Sequence, residues 1–224
     1  MKRITRVAVL SLTLCLPLLT QADAPSSVTA DDALKILMAG NQRFVSGQLS
    51  SVTPKEIAQR RAELVQGQKP FAIVLCCSDS RVGPEIVFDQ ELGNIFVIRT
   101  AREVLDDAGI GSIEYAVAHL GSPLLVVLGH ERCGAVAAAV ADAKEPGQIA
   151  TIVKAIRPAV EQTRRQSGDP LANAIRANAL DIAARLRNTS PIISEKVKAG
   201  KLTVIAAVLS LKTGQVELLH PEQK

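Results

Sequence analysis

The sequence predicts an α/β fold in which helices flank a central, mostly parallel β-sheet, preceded by an N-terminal helical arm. Short apolar runs rich in β-branched residues alternate along the chain with longer segments whose apolar residues recur at helical spacing. The chain has 224 residues, of which 47% are hydrophobic and only 2% aromatic. This length suits one domain, and its core must be aliphatic because aromatic residues are scarce.

The predicted helices begin at capping or proline signals. Thr29 and Asp32 resemble a capping box, which opens the helical arm that runs to Val45. Pro54 suits a first helical turn, and a second helix continues from it to about Val65. Five further helices are predicted in the ranges 111–120, 134–144, 149–165, 171–187 and 191–199.

Five apolar segments are predicted as strands. A turn at residues 67–70 leads into the first strand, and Thr213 with Gly214 forms the turn that makes the last strand a hairpin partner. The other strands alternate with helices, which is typical of parallel connections. The predicted strands are 71–76, 94–99, 124–128, 202–209 and 216–219.

The first 24 residues have the pattern of a secretory signal peptide. Basic side chains at positions 2, 3 and 6 precede an apolar segment at 7–19, which is too short to span a bilayer comfortably. Cleavage after residue 24 would leave Pro25 first, which signal peptidase tolerates poorly, so cleavage after residue 22 is favoured. We expect residues 25–224 to form a single domain in the periplasm.

Cys15 raises the alternative of a lipid anchor. Leu14 before it is too large for a lipobox, and the apolar segment continues beyond it, which favours an ordinary signal-peptide cysteine. No other segment approaches membrane-spanning length without interruption, so no membrane span is expected after cleavage.

The charge balance argues against nucleic acid as a partner. The full sequence has a formal charge of +4, and loss of the three basic residues of the signal peptide lowers it to about +1. Proteins that bind nucleic acid usually carry a basic stripe, and this balance offers no case for one.

Two of the predicted strands end in side chains that bind metals. Cys77 closes the strand 71–76, and His130 and Cys133 follow the strand 124–128. The carboxyl ends of parallel strands collect at one edge of a sheet, which is where ligands bind in open α/β folds. Two thiolates and one imidazole are typical zinc ligands, and three protein ligands leave a fourth position for chemistry. The sequence therefore predicts one zinc ion per chain.

Asp79 and Arg81 follow the first of these ligands at intervals of two residues. Asp79 can lie over the open position as a proton acceptor, or fill that position as a further zinc ligand. Arg81 can hold the carboxylate by a bidentate pair, which favours its charged form. The alternative is an ion pair that merely stabilises a turn. Gly134, next to Cys133, leaves a backbone N–H that can approach a bound anion.

The remaining cysteine and histidines have simpler interpretations. Alternation along the strand points Cys76 away from Cys77, which indicates a small core residue, with a redox partner of Cys77 as the alternative. Three cysteines after cleavage are not a disulfide framework. His119 and His220 are interpreted as ordinary histidines, with proton shuttling as the alternative.

The paired signatures Cys-x-Asp-x-Arg and His-x-x-Cys-Gly resemble those of the β-class carbonic anhydrases. The resemblance extends over about residues 33–219 and includes the stretches 40–44, 67–68, 88–90, 96–99, 111–115 and 190–192. It implies the zinc-dependent, reversible hydration of carbon dioxide to bicarbonate and a proton. In that reaction Asp79 would orient the attacking oxygen, and Arg81 would hold Asp79 at neutral pH.

The resemblance also implies a substrate pocket. Gln68 matches a glutamine that hydrogen-bonds in the active site and, with the Gly134 N–H, would orient bicarbonate. Phe96 and Tyr115 match aromatic residues of the carbon dioxide pocket, to which Ala101 would add an apolar wall. In the family these pocket residues come across a dimer interface, so a homodimer or a higher even assembly, such as a tetramer, is implied.

Some positions depart from the family pattern. Arg102 and Glu103 replace a glycine-bearing turn, and Val74 stands where bicarbonate-inhibited members carry Trp. Two alternative functions remain open. One is a hydrolase of carbon disulfide or carbonyl sulfide on the same scaffold. The other is a noncatalytic zinc-binding protein whose pocket is closed by Arg102 and Glu103.

Overall fold

A computed structural model describes residues 28–220 of the chain; the predicted signal peptide lies outside them and stays a prediction. The eight helices of this part are α1 (Ala30–Val45), α2 (Pro54–Glu63), α3 (Pro84–Val87), α4 (Asp107–Ala118), α5 (Gly134–Val140), α6 (Ile149–Thr163), α7 (Pro170–Thr189) and α8 (Pro191–Lys198). Its five strands are β1 (Ala72–Cys77), β2 (Ile95–Thr100), β3 (Leu124–His130), β4 (Thr203–Leu209) and β5 (Val216–Leu219).

The helix starts use the signals expected from the sequence. Thr29 caps α1 by accepting a hydrogen bond from the backbone N–H of Asp32. At α2, Thr53 and Glu56 form a reciprocal capping box, and Pro54 occupies the first turn. Local sequence therefore places these two N-termini.

The strands form one sheet in the order β2-β1-β3-β4-β5. The first four strands are parallel, and β5 pairs antiparallel with β4 as the predicted hairpin partner. This confirms the predicted fold class.

The chain leaves β1 towards β2 on one side, while β3 lies on the other side. The carboxyl ends of β1 and β3 therefore flank the point where ligands bind in open α/β sheets.

Each face of the sheet is covered by its own group of helices. Ile73, Leu75 and Cys77 of β1 belong to a core cluster that also contains buried residues of α4 to α8. Their neighbours Val74 and Cys76 belong to the opposite cluster, which includes residues of α1 and α3. Because strand side chains alternate between faces, adjacent cysteines are separated by the sheet. Cys77 therefore faces the larger helical layer.

Some boundaries differ from those predicted. The strand β3 continues through His130, since its carboxyl end pairs with Leu209 of β4. The helix α4 begins at Asp107, because Asp106 caps it by accepting from Gly109 N–H. The helix α5 ends at Val140, short of the predicted 134–144. Over residues 28–220, no helix combines the length and apolar character that crossing a membrane requires.

Candidate metal centre

Cys77, His130 and Cys133 come together at the carboxyl edge of the sheet. Their ligand atoms all lie within 4.8 Å of one another, and all three residues are buried. Cys77 ends β1 and His130 ends the adjacent β3, while Cys133 occupies the N-cap position of α5. Pairing of β1 with β3 and a two-residue turn are thus enough to assemble the group.

The imidazole of His130 is oriented for metal binding. Its Nδ1 lies 2.8 Å from the carbonyl oxygen of Glu131, and since a carbonyl can only accept, Nδ1 must carry the proton. The other nitrogen, Nε2, is buried and has no hydrogen-bond partner in the described part of the chain. Its lone pair is therefore available to a cation, in the arrangement typical of histidine ligands.

The two thiols of the group shift each other's pKa. The neighbouring Cys133 thiol lowers the pKa of Cys77, and the Arg102 backbone N–H, which donates to Cys77 Sγ at 3.3 Å, also lowers it. Cys77 and burial in turn raise the pKa of Cys133. One thiolate therefore forms readily beside the other thiol. This donor set, with the free Nε2, fits a zinc ion.

Asp79 lies beside the group but is held by Arg81. Arg81 Nε and Nη2 donate to the two carboxylate oxygens of Asp79 at 2.8 and 2.6 Å. Arg81 therefore holds the pKa of Asp79 well below its usual range, against the effect of partial burial. The oxygen Oδ2 of Asp79 is 3.9 Å from His130 Nε2. Asp79 therefore pairs with Arg81 and lies outside the three-residue group, while the open zinc site expected from the sequence stays a prediction.

Arg99 supports this loop and was not identified from the sequence. Its Nε donates to the carbonyl oxygen of Cys77 at 3.1 Å, and its Nη2 donates to that of Asp79 at 2.8 Å. The signals in the sequence are its place near the carboxyl end of a strand and its inclusion in the resembling stretch 96–99, and neither assigns it this contact. The contact depends on β2 pairing with β1, which puts Arg99 opposite Cys76.

Two of the predicted pocket residues lie near the group. Gly134 follows Cys133, and a Cβ atom placed on it would meet no atom within 4 Å, so the space beside it is open. Ala101 precedes Arg102, whose N–H contacts Cys77. The structure therefore keeps the Gly134 and Ala101 backbone at the metal centre.

The other three predicted pocket residues do not lie near the group within one chain. Phe96 lies opposite Ile73 in the sheet, and Ile73 is four residues before Cys77, which corresponds to about 13 Å along the strand. Tyr115, which is 49% exposed, packs near Phe96 with a distance of 6.4 Å between ring centroids. Gln68 is exposed before the opposite end of β1 and borders a surface depression with Tyr115. Gln68 and Tyr115 are exposed, whereas Phe96 is partly buried and packs against the core on the face of the sheet that holds Cys77. All three lie towards the end of β1 that is far from their own candidate metal centre.

The remaining cysteine and histidines lie apart from the group. Cys76 is fully buried on the opposite face of the sheet, where burial raises its pKa to about 12. His119 is exposed, with its ring 5.2 Å from that of Tyr115, and His220 is exposed near the end of the described chain. The core interpretation of Cys76 agrees with this position.

Arg102 and Glu103 are the least expected feature of the site. They form a short 3-10 turn after β2, and both side chains are almost completely buried. Their φ angles are 65° and 49°, in the left-handed region that side chains other than glycine rarely adopt. Burial raises the pKa of Glu103 to about 8, although Arg102 opposes this. The side chains extend into the protein interior.

Comparisons with known proteins agree with this geometry. A family model described as carbonic anhydrase matches residues 72–216. Carbonic anhydrase 2 of Mycobacterium tuberculosis is 42% identical over 190 residues, which cover 83% of this chain and 91% of that protein. The β-carbonic anhydrase CafA of Aspergillus fumigatus is 25% identical with a TM-score of 0.67, covering 85% of this chain and 94% of the other. The fold is also similar to that of tetrameric β-carbonic anhydrases of Sordaria macrospora, at 23% identity and a TM-score of 0.68 over 84% of this chain and 97% of theirs.

Proposed function

Since this chain belongs to the carbonic anhydrase family and is a carbonic anhydrase, we propose that it hydrates carbon dioxide with one zinc ion per chain, held by Cys77, His130 and Cys133. The observation that carries the proposal is the buried group of three ligand atoms within 4.8 Å. The unpartnered Nε2 of His130 supports it, because a buried nitrogen without a partner is unfavourable unless something binds it.

A zinc ion held by Cys77, His130 and Cys133 would supply Lewis acidity, which would lower the pKa of water enough for attack at neutral pH. Asp79 would accept a hydrogen bond from the attacking water and thereby direct the oxygen lone pair towards the substrate carbon. Arg81 keeps Asp79 in place through its two side-chain hydrogen bonds. Arg99 holds the backbone on which Asp79 stands.

The substrate side of the site combines a donor with an apolar wall. The Gly134 N–H has open space beside it and would donate to a bicarbonate oxygen. Ala101 would contribute an apolar surface suited to carbon dioxide. Asp79 also remains an alternative ligand of the zinc ion, and its pairing with Arg81 favours the open arrangement.

We further propose that the pocket is completed by a second subunit. Gln68, Phe96 and Tyr115 lie at the far end of β1 from their own metal centre, so a partner chain is the simplest source of these groups there. The exposed Tyr115 and the 75% exposed Val65 are apolar surface that such a contact would cover. The active unit would then be a homodimer or a higher even assembly.

The test is carbon dioxide hydration by the zinc-loaded mature chain in stopped flow, together with zinc content by mass spectrometry. We expect about one zinc ion per chain. Cys77→Ala, His130→Ala and Cys133→Ala should each lose most of the zinc and the activity. Cys76→Ala is the matched control, because it removes an adjacent thiol on the other face of the sheet.

Full zinc retention in any of the three ligand variants would remove that residue from the proposed metal centre. The same preparations can be assayed with carbonyl sulfide and carbon disulfide. Hydrolysis of these gases without carbon dioxide hydration would replace the proposed reaction with the alternative substrate class.

A further inference from the structure

A cavity of about 290 Å³ lies behind the metal centre, between the turn at Arg102 and the helices α6 and α7. Its walls are largely apolar, with Ile156 from α6 and Ile182 from α7. The volume is on the order of ten times the share of one water molecule in the liquid. It is therefore large enough for a small organic molecule, and few polar groups converge on it, as in ligand sites generally.

The side chain of Arg102 lines this cavity and lacks hydrogen-bond partners among the described residues. It is 2% exposed, and its Nε, Nη1 and Nη2 atoms form no hydrogen bond to any described residue. Glu103 Oε2 lies 3.5 Å from Nε, which makes an ion pair but no hydrogen bond. A guanidinium group does not lose its charge in proteins, so it needs acceptors. Leaving buried charged donors unpaired is strongly unfavourable.

Asn178 of α7 adds a second donor to the same cavity. It is 5% exposed, and its Nδ2 has no hydrogen-bond partner within residues 28–220. The side-chain donors of Arg102 and Asn178 would therefore both be satisfied by an acceptor inside the cavity. Asn178 shares its helix face with Asp181, Ile182 and Arg185, which follow it by three, four and seven residues.

The charges around the cavity favour the binding of an anion. Glu103 and Asp181 are acidic, but burial raises the pKa of both and so disfavours their anionic forms. Arg102 stays charged, and the exposed Arg185 lies on the same wall. A singly charged, compact anion suits this balance better than a dianion, because Arg102 is the one buried cation among the residues that line the cavity.

We propose that this cavity binds a small carboxylate-type monoanion, whose planar oxygens accept hydrogen bonds from the Arg102 guanidinium and the Asn178 amide. The planar fork of arginine matches this shape, since two parallel N–H groups can bind two oxygens. The site is separate from the metal centre and does not depend on the zinc reaction. It nevertheless touches that centre, because the Arg102 backbone N–H donates to Cys77.

The proposal can be tested by calorimetric titration of sodium formate into the zinc-loaded mature chain. The wild type should show a binding component that Arg102→Gly removes. Glycine tolerates the φ of 65° at this position, so the turn is retained while the guanidinium is lost. Asn178→Leu, which fills similar space without the amide, should weaken that component about ten-fold.

Arg164→Gln is the matched control, because it removes an exposed arginine next to α6 and should leave formate binding unchanged. Bicarbonate, titrated in the same way, distinguishes the product of the reaction from an organic carboxylate as the source of the anion. Equal formate and bicarbonate curves for the wild type and both cavity variants would overturn the proposal. So would an absence of binding in the wild type. If Arg102→Gly fails to fold, Asn178→Leu decides alone.

Discussion

Arg81 and Asp79 show how one pair of side chains prepares the reaction. Two side-chain hydrogen bonds and one from the Arg81 backbone N–H, at 3.0 Å, hold the carboxylate. Half of the Arg81 side chain is exposed, so the pair adds little to stability. Its effect should instead appear in catalysis, because it decides where the Asp79 oxygens point.

Arg81→Ala should therefore keep the zinc ion but lower kcat/KM about ten-fold or more, at neutral and at alkaline pH. Without its partner, Asp79 is free to bind zinc as a fourth ligand and exclude water. Arg81→Lys keeps the charge without the bidentate geometry, so its kcat/KM should lie between those of the wild type and Arg81→Ala. Zinc content and stopped-flow hydration measure this. An Arg81→Ala enzyme as active as the wild type would rule out the clamp.

Glu103 should make the stability of the protein depend on pH. Its pKa is about 8 in the folded protein, against about 4.3 in an unfolded chain. Between these values the folded state binds more protons than the unfolded state, so stability falls as pH rises. The contribution of Glu103 to the free energy of unfolding is complete below about pH 4 and is progressively lost as pH rises towards 8.

Glu103→Gln should flatten this dependence, so that its free energy of unfolding declines less than that of the wild type between pH 5 and 8. Urea unfolding of the zinc-loaded proteins at a series of pH values measures the difference. Exposed Glu195 on α8 provides the control, since Glu195→Gln should follow the wild-type curve. Parallel curves for Glu103→Gln and the wild type would contradict the prediction.

At the scale of elements, α1 is joined to the rest of the fold by close backbone contact. A Cβ atom on Gly40 would lie 1.8 Å from the carbonyl oxygen of Phe88, just after α3. The neighbouring Asn41 donates to the carbonyl oxygens of Val87 and Gly214 and accepts from the N–H of Val216. The arm is therefore seated on α3 and β5 through the smallest residue available.

Gly40→Ala should destabilise the protein by about 1–3 kcal/mol, because the added methyl group forces backbone apart. Gly111→Ala on α4 is the matched control, since its Cβ would meet no atom within 4 Å. That change should be neutral or stabilising, by up to about 1 kcal/mol, since alanine favours helices. Urea denaturation gives both values. Equal stability of Gly40→Ala and the wild type would show that α1 is seated differently.

At the scale of the whole molecule, the proposed assembly predicts complementation between subunits. Gln68→Ala should impair its partner's site, and Cys133→Ala should destroy its own. In a mixed dimer, the Gln68→Ala chain supplies an intact metal centre and the Cys133→Ala chain supplies Gln68. One of the two sites is then complete, so mixing should restore activity above the sum of the two parents.

The control is a mixture of Cys77→Ala and Cys133→Ala chains, which cannot complement because both ligands come from one chain. If the mixture of Gln68→Ala and Cys133→Ala chains is no more active than the two variants added together, Gln68 serves no neighbouring site. Stopped-flow assays after joint refolding or co-expression measure both mixtures.

Export concerns the chain as a whole and remains a prediction from residues 1–24. The mature protein should begin at residue 23 or 25, and mass spectrometry of the periplasmic fraction checks this. An intact Met1 or a lipid on Cys15 would contradict it.

The sequence by itself determined the alternation of strands and helices, the caps at Thr29 and Thr53, and the three candidate metal ligands. These follow from patterns that act over a few residues: hydrophobic periodicity, capping and the position of a side chain at the end of a strand. The pairing of Asp79 with Arg81 was also accessible, because they are only two positions apart in the chain.

Only the tertiary structure decided what depends on distant segments meeting. Arg99 reaches the loop that carries Asp79 because β2 pairs with β1, and Gln68 lies far from its own candidate metal centre because the length of β1 separates them. Arg102 and Asn178 line one cavity although 76 positions apart in the chain, because α7 packs behind the turn. Packing across the sheet sets such contacts, and no local pattern encodes them.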